Sequence, residues 1–119
     1  ELLNIVNEYP NQVGTIIMEP QREVDPEPGF LEGVRELATK IGAVLIFDEV
    51  TSGFRMNYGG IHLIKSVNPD IAVFGKALGN GYPISVVIGK QEVMDSAQDS
   101  FISSTFWSER VGFVAALAT

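Results

Sequence analysis

Three polar residues stand at or just after the ends of apolar runs that are typical of buried strands. Glu19 ends the run that begins at Val13, Asp48 follows residues 43–47, and Lys76 follows residues 71–74 after one glycine. The carboxyl ends of parallel strands meet at one edge of a sheet, where open α/β sheets bind their ligands. We therefore expect Glu19, Asp48 and Lys76 to lie at one edge and to favour a bound small molecule.

Lys76 is the strongest candidate for chemistry. Glycines at positions 75, 79 and 81 surround it and allow the backbone to approach a ligand closely. An amine held in such a loop can act as a nucleophile. The alternative is a solvated loop lysine, which is the common state of lysine in proteins.

Asp48 ends a run of five apolar residues, so its carboxylate needs a partner. One interpretation is a capping or ion-paired aspartate. The other is a fixed negative charge that keeps a cationic ring nitrogen protonated. In that case Lys76 would form a Schiff base and Asp48 would pair with the pyridinium of an electron-sink cofactor.

The apolar pattern predicts an α/β fold. Apolar residues at helical spacing predict an amphipathic helix from Phe30 to Gly42. Strands are predicted at residues 13–19, 43–47, 71–74 and 84–88, and the continuous apolar runs indicate a sheet with helices on both faces. Only nine residues, Gly75 to Pro83, separate the last two strands. This is too short for a parallel crossover, so we expect a mostly parallel sheet with one antiparallel strand.

Composition excludes several classes of function. The chain has 119 residues, a net charge of −7, no cysteine and a single histidine. The negative charge argues against nucleic acid as a partner, and the absence of cysteine with only one histidine argues against a metal site. No apolar run is long enough for a membrane span, so we expect no membrane association and a cytoplasmic location.

Both ends of the chain suggest an internal piece of a longer protein. The first residue is Glu1, and the apolar stretch from Val111 to Thr119 contains no helix stop signal. A complete small domain with a buried C-terminal helix is the alternative.

Residues 44–49, Val-Leu-Ile-Phe-Asp-Glu, also fit the magnesium-binding strand of a P-loop ATPase. The partner motif ends in Gly-Lys followed by Ser or Thr. Here Ala77 follows Gly75-Lys76 and Gln91 follows Gly89-Lys90, so neither pair supplies the hydroxyl. A P-loop ATPase fragment is therefore an outside alternative. A cofactor-free relative with a structural or regulatory role is another, although the intact Lys76 and Asp48 argue against it.

Two longer motifs resemble one enzyme family. They are Leu-Ile-Phe-Asp-Glu-Val-Thr-Ser-Gly-Phe-Arg at residues 45–55 and Pro-Asp-Ile-Ala-Val-Phe-Gly-Lys-Ala-Leu-Gly-Asn-Gly-Tyr-Pro at residues 69–83. They resemble the class III aminotransferases that use pyridoxal 5′-phosphate, closest to the glutamate-1-semialdehyde 2,1-aminomutase branch. The resemblance implies fold type I of the pyridoxal-phosphate-dependent transferases. Residues 1–119 would be an internal fragment of the large cofactor-binding domain, with the small domain and the upstream phosphate loop outside it.

The resemblance also implies residue roles. Lys76 matches the lysine that binds the cofactor covalently and moves a proton, and Asp48 matches the aspartate paired with the pyridine nitrogen. Val50 matches the apolar residue packed on the ring. Thr105, next to Ser104, matches the threonine that binds the cofactor phosphate of the neighbouring subunit, which implies a homodimer with shared active sites. Glu19 matches a family glutamate near the site.

This sequence departs from the family pattern at two places. Many members have glutamine where Thr51 stands, so Thr51 makes a shorter contact with the ring hydroxyl or none. Residues 106–110, Phe-Trp-Ser-Glu-Arg, replace a usual Gly-Asn-Pro, which leaves the substrate open. Trp107 is interpreted as a pocket wall or a dimer contact. An aminotransferase acting on an amine or amino acid and a carbonyl acceptor and an aminomutase both remain possible.

Three nearby residues receive structural interpretations. Arg55 and Glu49 are expected to form an ion pair, since buried charges are paired. His62 stands among Ile61, Leu63 and Ile64 and is interpreted as a packing or surface histidine.

Overall fold

The computed structural model describes residues 1–119. It contains one four-stranded sheet in the order β1 (Thr15–Met18), β2 (Val44–Asp48), β3 (Ile71–Phe74) and β4 (Val86–Gly89). Strands β1, β2 and β3 are parallel, and β4 is antiparallel to β3. This confirms the predicted reversal, which the short connection between the last two strands imposes.

Helices and short 3₁₀ turns connect the strands. The predicted helix is confirmed as α2 (Phe30–Ile41), and Gly42 ends it in the left-handed conformation with a φ of 71°. A β-carbon would be strained in that conformation, which explains why glycine ends the helix there. The helices are α1 (Leu2–Glu8), α2 (Phe30–Ile41), α3 (His62–Lys65), α4 (Gln91–Met94) and α5 (Val111–Ala118), with 3₁₀ turns at Lys76–Gly79 and Asp95–Asp99.

Helix α2 packs against one face of the sheet and forms the larger part of the core. Its buried residues Leu31, Val34 and Ala38 lie in one cluster with Leu45 and Phe47 of the central strand β2. Leu45 and Phe47 have no exposed surface. The strand that leads to Asp48 is therefore held firmly by packing.

The opposite face of the sheet also carries apolar side chains. Strand register sets Ile17 beside Ile46 and Asp48 beside Val73 on this face. Ile17 is 65% exposed within the chain. Apolar residues on both faces are typical of a sheet with helices on both sides. Asp48 projects from this second face, away from the α2 core.

A buried aspartate ties the sheet to its flanking elements. Asp70 precedes β3, and its Oδ2 accepts hydrogen bonds from the backbone N–H of Leu45 at 2.7 Å and from Arg35 at 2.8 Å. Lys90, after β4, lies 2.8 Å from its Oδ1. Burial alone would raise the pKa of Asp70, but the hydrogen bonds from Lys90, Leu45 and Arg35 lower it to about 2.

We predict that Asp70→Asn destabilises the intact protein by about 2 kcal/mol at neutral pH, the free energy equivalent of this pKa depression. Because the folded-state pKa lies below the unfolded value of 3.8, the ionised carboxylate stabilises the fold above about pH 4. That stabilisation is lost as the pH falls toward 2. Denaturant unfolding of both proteins between about pH 7 and pH 3 measures the difference.

Asp25→Asn is the matched control, because Asp25 also pairs with a lysine, Lys65, but the side chain of Asp25 is 69% exposed. It should change the free energy of unfolding little. A difference between wild type and Asp70→Asn that stays constant across the pH range would contradict the role given to the ionised Asp70.

Candidate functional site

Lys76 lies at the carboxyl end of β3, where the chain leaves the sheet. Its φ is 42°, in the left-handed region that non-glycine residues rarely adopt. Such strained residues concentrate at functional sites, where the surrounding structure enforces them. Lys76 is exposed within the chain and borders a cavity of about 470 Å³, whose other lining residues are Val50, Gly75, Gly81, Tyr82, Pro83, Ile84 and Ser85.

Asp48 is half-buried at the end of β2, the strand next to β3. Its Oδ1 accepts a hydrogen bond from the backbone N–H of Val50 at 3.0 Å, an Asx turn that fixes the carboxylate. Its Oδ2 accepts no hydrogen bond from the chain, and Asp48 forms no ion pair. The strand ends therefore present an oriented carboxylate with one oxygen free.

Thr51 connects the two loops. The Nζ of Lys76 donates a hydrogen bond to the Oγ1 of Thr51 at 2.9 Å. Val50, the preceding residue, lines the Lys76 cavity. The structure thus brings Val50, Thr51 and Lys76 together beside the end of Asp48's strand.

Glu49 organises the loop that follows β2. It has no exposed surface, yet its Oε2 accepts hydrogen bonds from Ser52 Oγ at 2.8 Å and from the backbone N–H of Ile61 at 2.7 Å. Its Oε1 accepts a hydrogen bond from the backbone N–H of His62 at 3.1 Å and lies 2.6 Å from the ring Nδ1 of His62. One carboxylate therefore holds both ends of the loop over residues 49–62.

The predicted ion pair between Glu49 and Arg55 is wrong. Arg55 is exposed and forms no ion pair, because the hydrogen bonds from Ser52, Ile61 and His62 occupy both carboxylate oxygens. The interpretation of His62 as a packing or surface residue is also incomplete. Its ring faces Glu49, thirteen residues earlier, a separation at which sequence spacing gives no signal.

Gly53 allows the loop to lie on β3. A β-carbon at Gly53 would lie 2.9 Å from the carbonyl oxygen of Glu49 and closer still to the ring of Phe74. Only glycine fits there without a shift of the backbone or the ring. The loop after Asp48 is thus packed against the strand that leads to Lys76.

Glu19 is separate from this arrangement. Strand register sets the ends of β1 and β2 side by side, since Met18 pairs with Phe47. The carboxylate of Glu19, however, lies 2.7 Å from Arg22 and borders a different cavity, which includes Pro20 and Phe30. Glu19 shares the sheet edge with Asp48 and Lys76 but not the cavity of Lys76.

Ser104, Thr105 and Trp107 lie in an exposed turn before α5. Ser104 Oγ accepts a hydrogen bond from the backbone N–H of Phe106 at 3.4 Å, and the side chain of Thr105 makes no hydrogen bond. Ser104 and Trp107 border a second cavity of about 590 Å³. This cavity and the Lys76 cavity share residues 82–85.

Tyr82 stands between the two cavities. Its hydroxyl donates a hydrogen bond to Glu109 at 2.7 Å, and Glu109 also accepts from the backbone N–H of Val111 at the start of α5. The Tyr82 hydrogen bond lowers the pKa of Glu109 and raises the pKa of Tyr82. This contact, like that of Thr51 with Lys76, joins residues far apart in the chain.

The whole chain is similar to one protein family. The family model for class III aminotransferases matches residues 1–119. The chain is 50% identical over 95 residues to 3-aminobutyryl-CoA aminotransferase of Cloacimonas acidaminovorans, covering 79% of this chain and 23% of the relative. It is 42% identical over 95 residues to glutamate-1-semialdehyde 2,1-aminomutase of Natranaerobius thermophilus, covering 76% of this chain and 22% of the relative.

Solved structures share the architecture. The FumI protein of a Sphingopyxis species, solved in its pyridoxal-phosphate internal aldimine form, matches with a TM-score of 0.90 at 27% identity, over 98% of this chain and 30% of that protein. An omega-transaminase from Sphaerobacter thermophilus matches with a TM-score of 0.87 at 32% identity, over 98% of this chain and 28% of that protein. The fold is therefore that of the pyridoxal-phosphate-dependent transaminases.

Together with the match over residues 1–119, this shows that the chain belongs to the class III aminotransferase family. The chain spans less than a quarter of the length of the two curated relatives. Its helices are all too short or too polar to cross a lipid bilayer.

We predict that Glu49→Gln lowers the free energy of unfolding of the intact protein by about 3 kcal/mol. The NH₂ of the glutamine amide is a donor, and it would face O–H or N–H groups that now donate to a buried carboxylate oxygen. Urea unfolding measures the change. Glu36→Gln, at an exposed residue of α2 without hydrogen bonds, is the control. Equal stability of the two variants would contradict the role of Glu49.

Proposed function

We propose that the protein containing this chain is a pyridoxal-phosphate-dependent aminotransferase of class III that transfers an amino group between an amine or amino acid and a carbonyl acceptor. The observation that carries the proposal is the pair formed by Asp48 and Lys76 at the ends of neighbouring parallel strands. Each residue stands within a motif of the family, and the two are 28 residues apart in the chain.

The residues present fit pyridoxal phosphate. Asp48 offers a carboxylate oxygen without a protein partner, which suits the cationic nitrogen of a pyridine ring. Lys76 offers an amine that forms no ion pair and borders an open cavity. Val50 adds an apolar surface at that cavity. In this proposal Lys76 binds the cofactor covalently, Asp48 pairs with the ring nitrogen and Val50 packs on the ring.

When bound, the cofactor supplies an electron sink for the carbanion that remains after a proton leaves the substrate. Asp48 would keep the ring nitrogen protonated through its fixed negative charge. When its amine is not bound to the cofactor, Lys76 would accept the proton that leaves the substrate and return it to the product, and its flexible side chain would allow the amine to move between the two tasks. The Asx turn at Val50 keeps the carboxylate oriented throughout.

The proposal extends to a homodimer with shared sites. Thr105 and Ser104 would bind the cofactor phosphate of the neighbouring subunit, and their exposure within the chain suits contact with a partner. Residues 1–119 would form an internal part of the large domain, with the small domain and the phosphate loop elsewhere in the polypeptide. The proposed location is the cytoplasm, in keeping with an acidic, cysteine-free chain.

The two curated relatives suggest different substrates. The relative at 50% identity is named for a 3-aminobutyryl-CoA substrate, which favours a β-amino acyl thioester as amino donor. The relative at 42% identity is an aminomutase, which moves an amino group within one molecule. Repeated turnover of an amino donor that requires a separate 2-oxo acid would favour the aminotransferase. Turnover of an amino aldehyde without an acceptor would favour the aminomutase.

We predict that borohydride reduction of the intact, cofactor-loaded protein attaches the pyridoxyl group to Lys76. Proteolysis and mass spectrometry of the peptides locate the label. Asp48→Asn should retain the label but lose turnover by a factor of about 100 or more, since each pKa unit of lost support for the ring nitrogen costs about 1.4 kcal/mol.

Lys40→Ala is the control, because Lys40 is exposed in α2 and forms no ion pair, so the label on Lys76 should remain unchanged. A label on another lysine, or wild-type turnover in Asp48→Asn, would refute the proposed roles.

We predict that mixed dimers of a Lys76→Ala subunit with a Thr105→Ala subunit keep about half of the wild-type activity per dimer. If sites are shared, one site carries both substitutions and the other carries neither. If Thr105 serves its own subunit, every site carries one substitution. Differently tagged subunits allow isolation of the mixed dimer, and activity no higher than that of a Thr105→Ala site would exclude sharing.

A further inference from the structure

Lys76 is restrained at both ends of its side chain. Its backbone has a φ of 42°, which fixes the direction in which the side chain leaves the 3₁₀ turn. Its Nζ donates to Thr51 Oγ1 at 2.9 Å. No carboxylate of the chain pairs with this amine, so Thr51 is its side-chain partner.

Thr51 is itself a firm support. It is half-buried in the loop that Glu49 holds through Ser52 and Ile61, and it directly follows Val50, whose N–H is bonded to Asp48. Threonine is branched at its β-carbon and has few side-chain rotamers, whereas lysine has four flexible bonds. The hydrogen bond thus links a mobile amine to a rigid loop.

A hydroxyl can serve both protonation states of the amine. It accepts a hydrogen bond from the ammonium and donates one to the free amine. Contact with Thr51 is therefore possible before and after a proton moves, and only a side chain with a donor can also engage the lone pair of the free amine.

We propose that Thr51 is a positioning residue that holds the amine of Lys76 when the amine carries no covalent partner. The proposal rests on the proposed function for its role in amino transfer, but the contact belongs to the cofactor-free protein. Thr51 acts on Lys76 and not on the cofactor ring.

The first test uses the intact protein prepared without cofactor. Trace labelling with acetic anhydride, followed by peptide mass spectrometry, gives the reactivity of Lys76 relative to the exposed Lys40. In the wild type, the Thr51 hydroxyl accepts a hydrogen bond from the ammonium form of Lys76 and can donate one to the lone pair of the free amine. Thr51→Val removes this hydroxyl. Lys76 should then react about five times faster, the change expected for one lost hydrogen bond of roughly 1 kcal/mol.

Two variants serve as controls. Thr51→Ser keeps the hydroxyl but loses the methyl group, so it should retain the wild-type reactivity of Lys76 if the hydroxyl, and not methyl packing, holds the amine. Thr39→Val makes the same substitution on the exposed side of α2 and should leave Lys76 unchanged. Thermal unfolding checks that each variant is folded. Unchanged Lys76 reactivity in folded Thr51→Val would overturn the proposal, whether or not the protein binds pyridoxal phosphate.

A double-mutant cycle separates this role from direct contact with the cofactor. Affinity for pyridoxal phosphate is measured in wild type, Thr51→Val, Lys76→Ala and the double variant. If Thr51 acts through Lys76, adding Thr51→Val to Lys76→Ala should leave the affinity unchanged. A loss of affinity on that background would overturn the proposal in favour of direct contact. Failure of wild type to bind the cofactor would count against the proposed function alone.

Discussion

A carboxylate with no exposed surface determines the geometry of the candidate site. Glu49 accepts hydrogen bonds from Ser52 near the start of the loop and from Ile61 and His62 at its end. A buried charge is costly unless its hydrogen-bonding capacity is met, so the loop has few alternatives once Glu49 is inside. The hydrogen bonds of Glu49 therefore also restrict the conformation of the residues on either side of it.

The loop that Glu49 holds in place contacts or adjoins both candidate catalytic residues, Asp48 and Lys76. Asp48 precedes Glu49 and is fixed by the turn to Val50, while Thr51 follows within the same loop and contacts Lys76. The loop also packs through a glycine against Phe74, at the end of the strand that leads to Lys76. A single buried group thus couples the ends of two strands, although its own side chain does not border the Lys76 cavity.

The sheet supplies the second constraint. Because β1, β2 and β3 are parallel, their carboxyl ends lie at one edge of the sheet. Asp70, just before β3, contacts Leu45 near the start of β2 and Lys90 after β4. A shift of one residue in register would turn Asp48 into the α2 core. Packing of Leu45 and Phe47 against α2 prevents that shift, so the core and the site depend on the same alternation of side chains.

The sequence by itself determined the strand–helix–strand order, the reversed fourth strand and the candidacy of Asp48 and Lys76, because periodicity, loop length and glycine punctuation are local signals. The strand ends were less well defined, since the fourth strand begins at Val86 and not at residue 84. Only the tertiary structure decided the partners of the polar groups. Glu49 pairs with His62 and not with Arg55, and Thr51 meets Lys76 across 25 residues. Such pairings depend on which groups burial brings within hydrogen-bonding distance, and a loop's path is set by long-range packing that one-dimensional spacing does not contain.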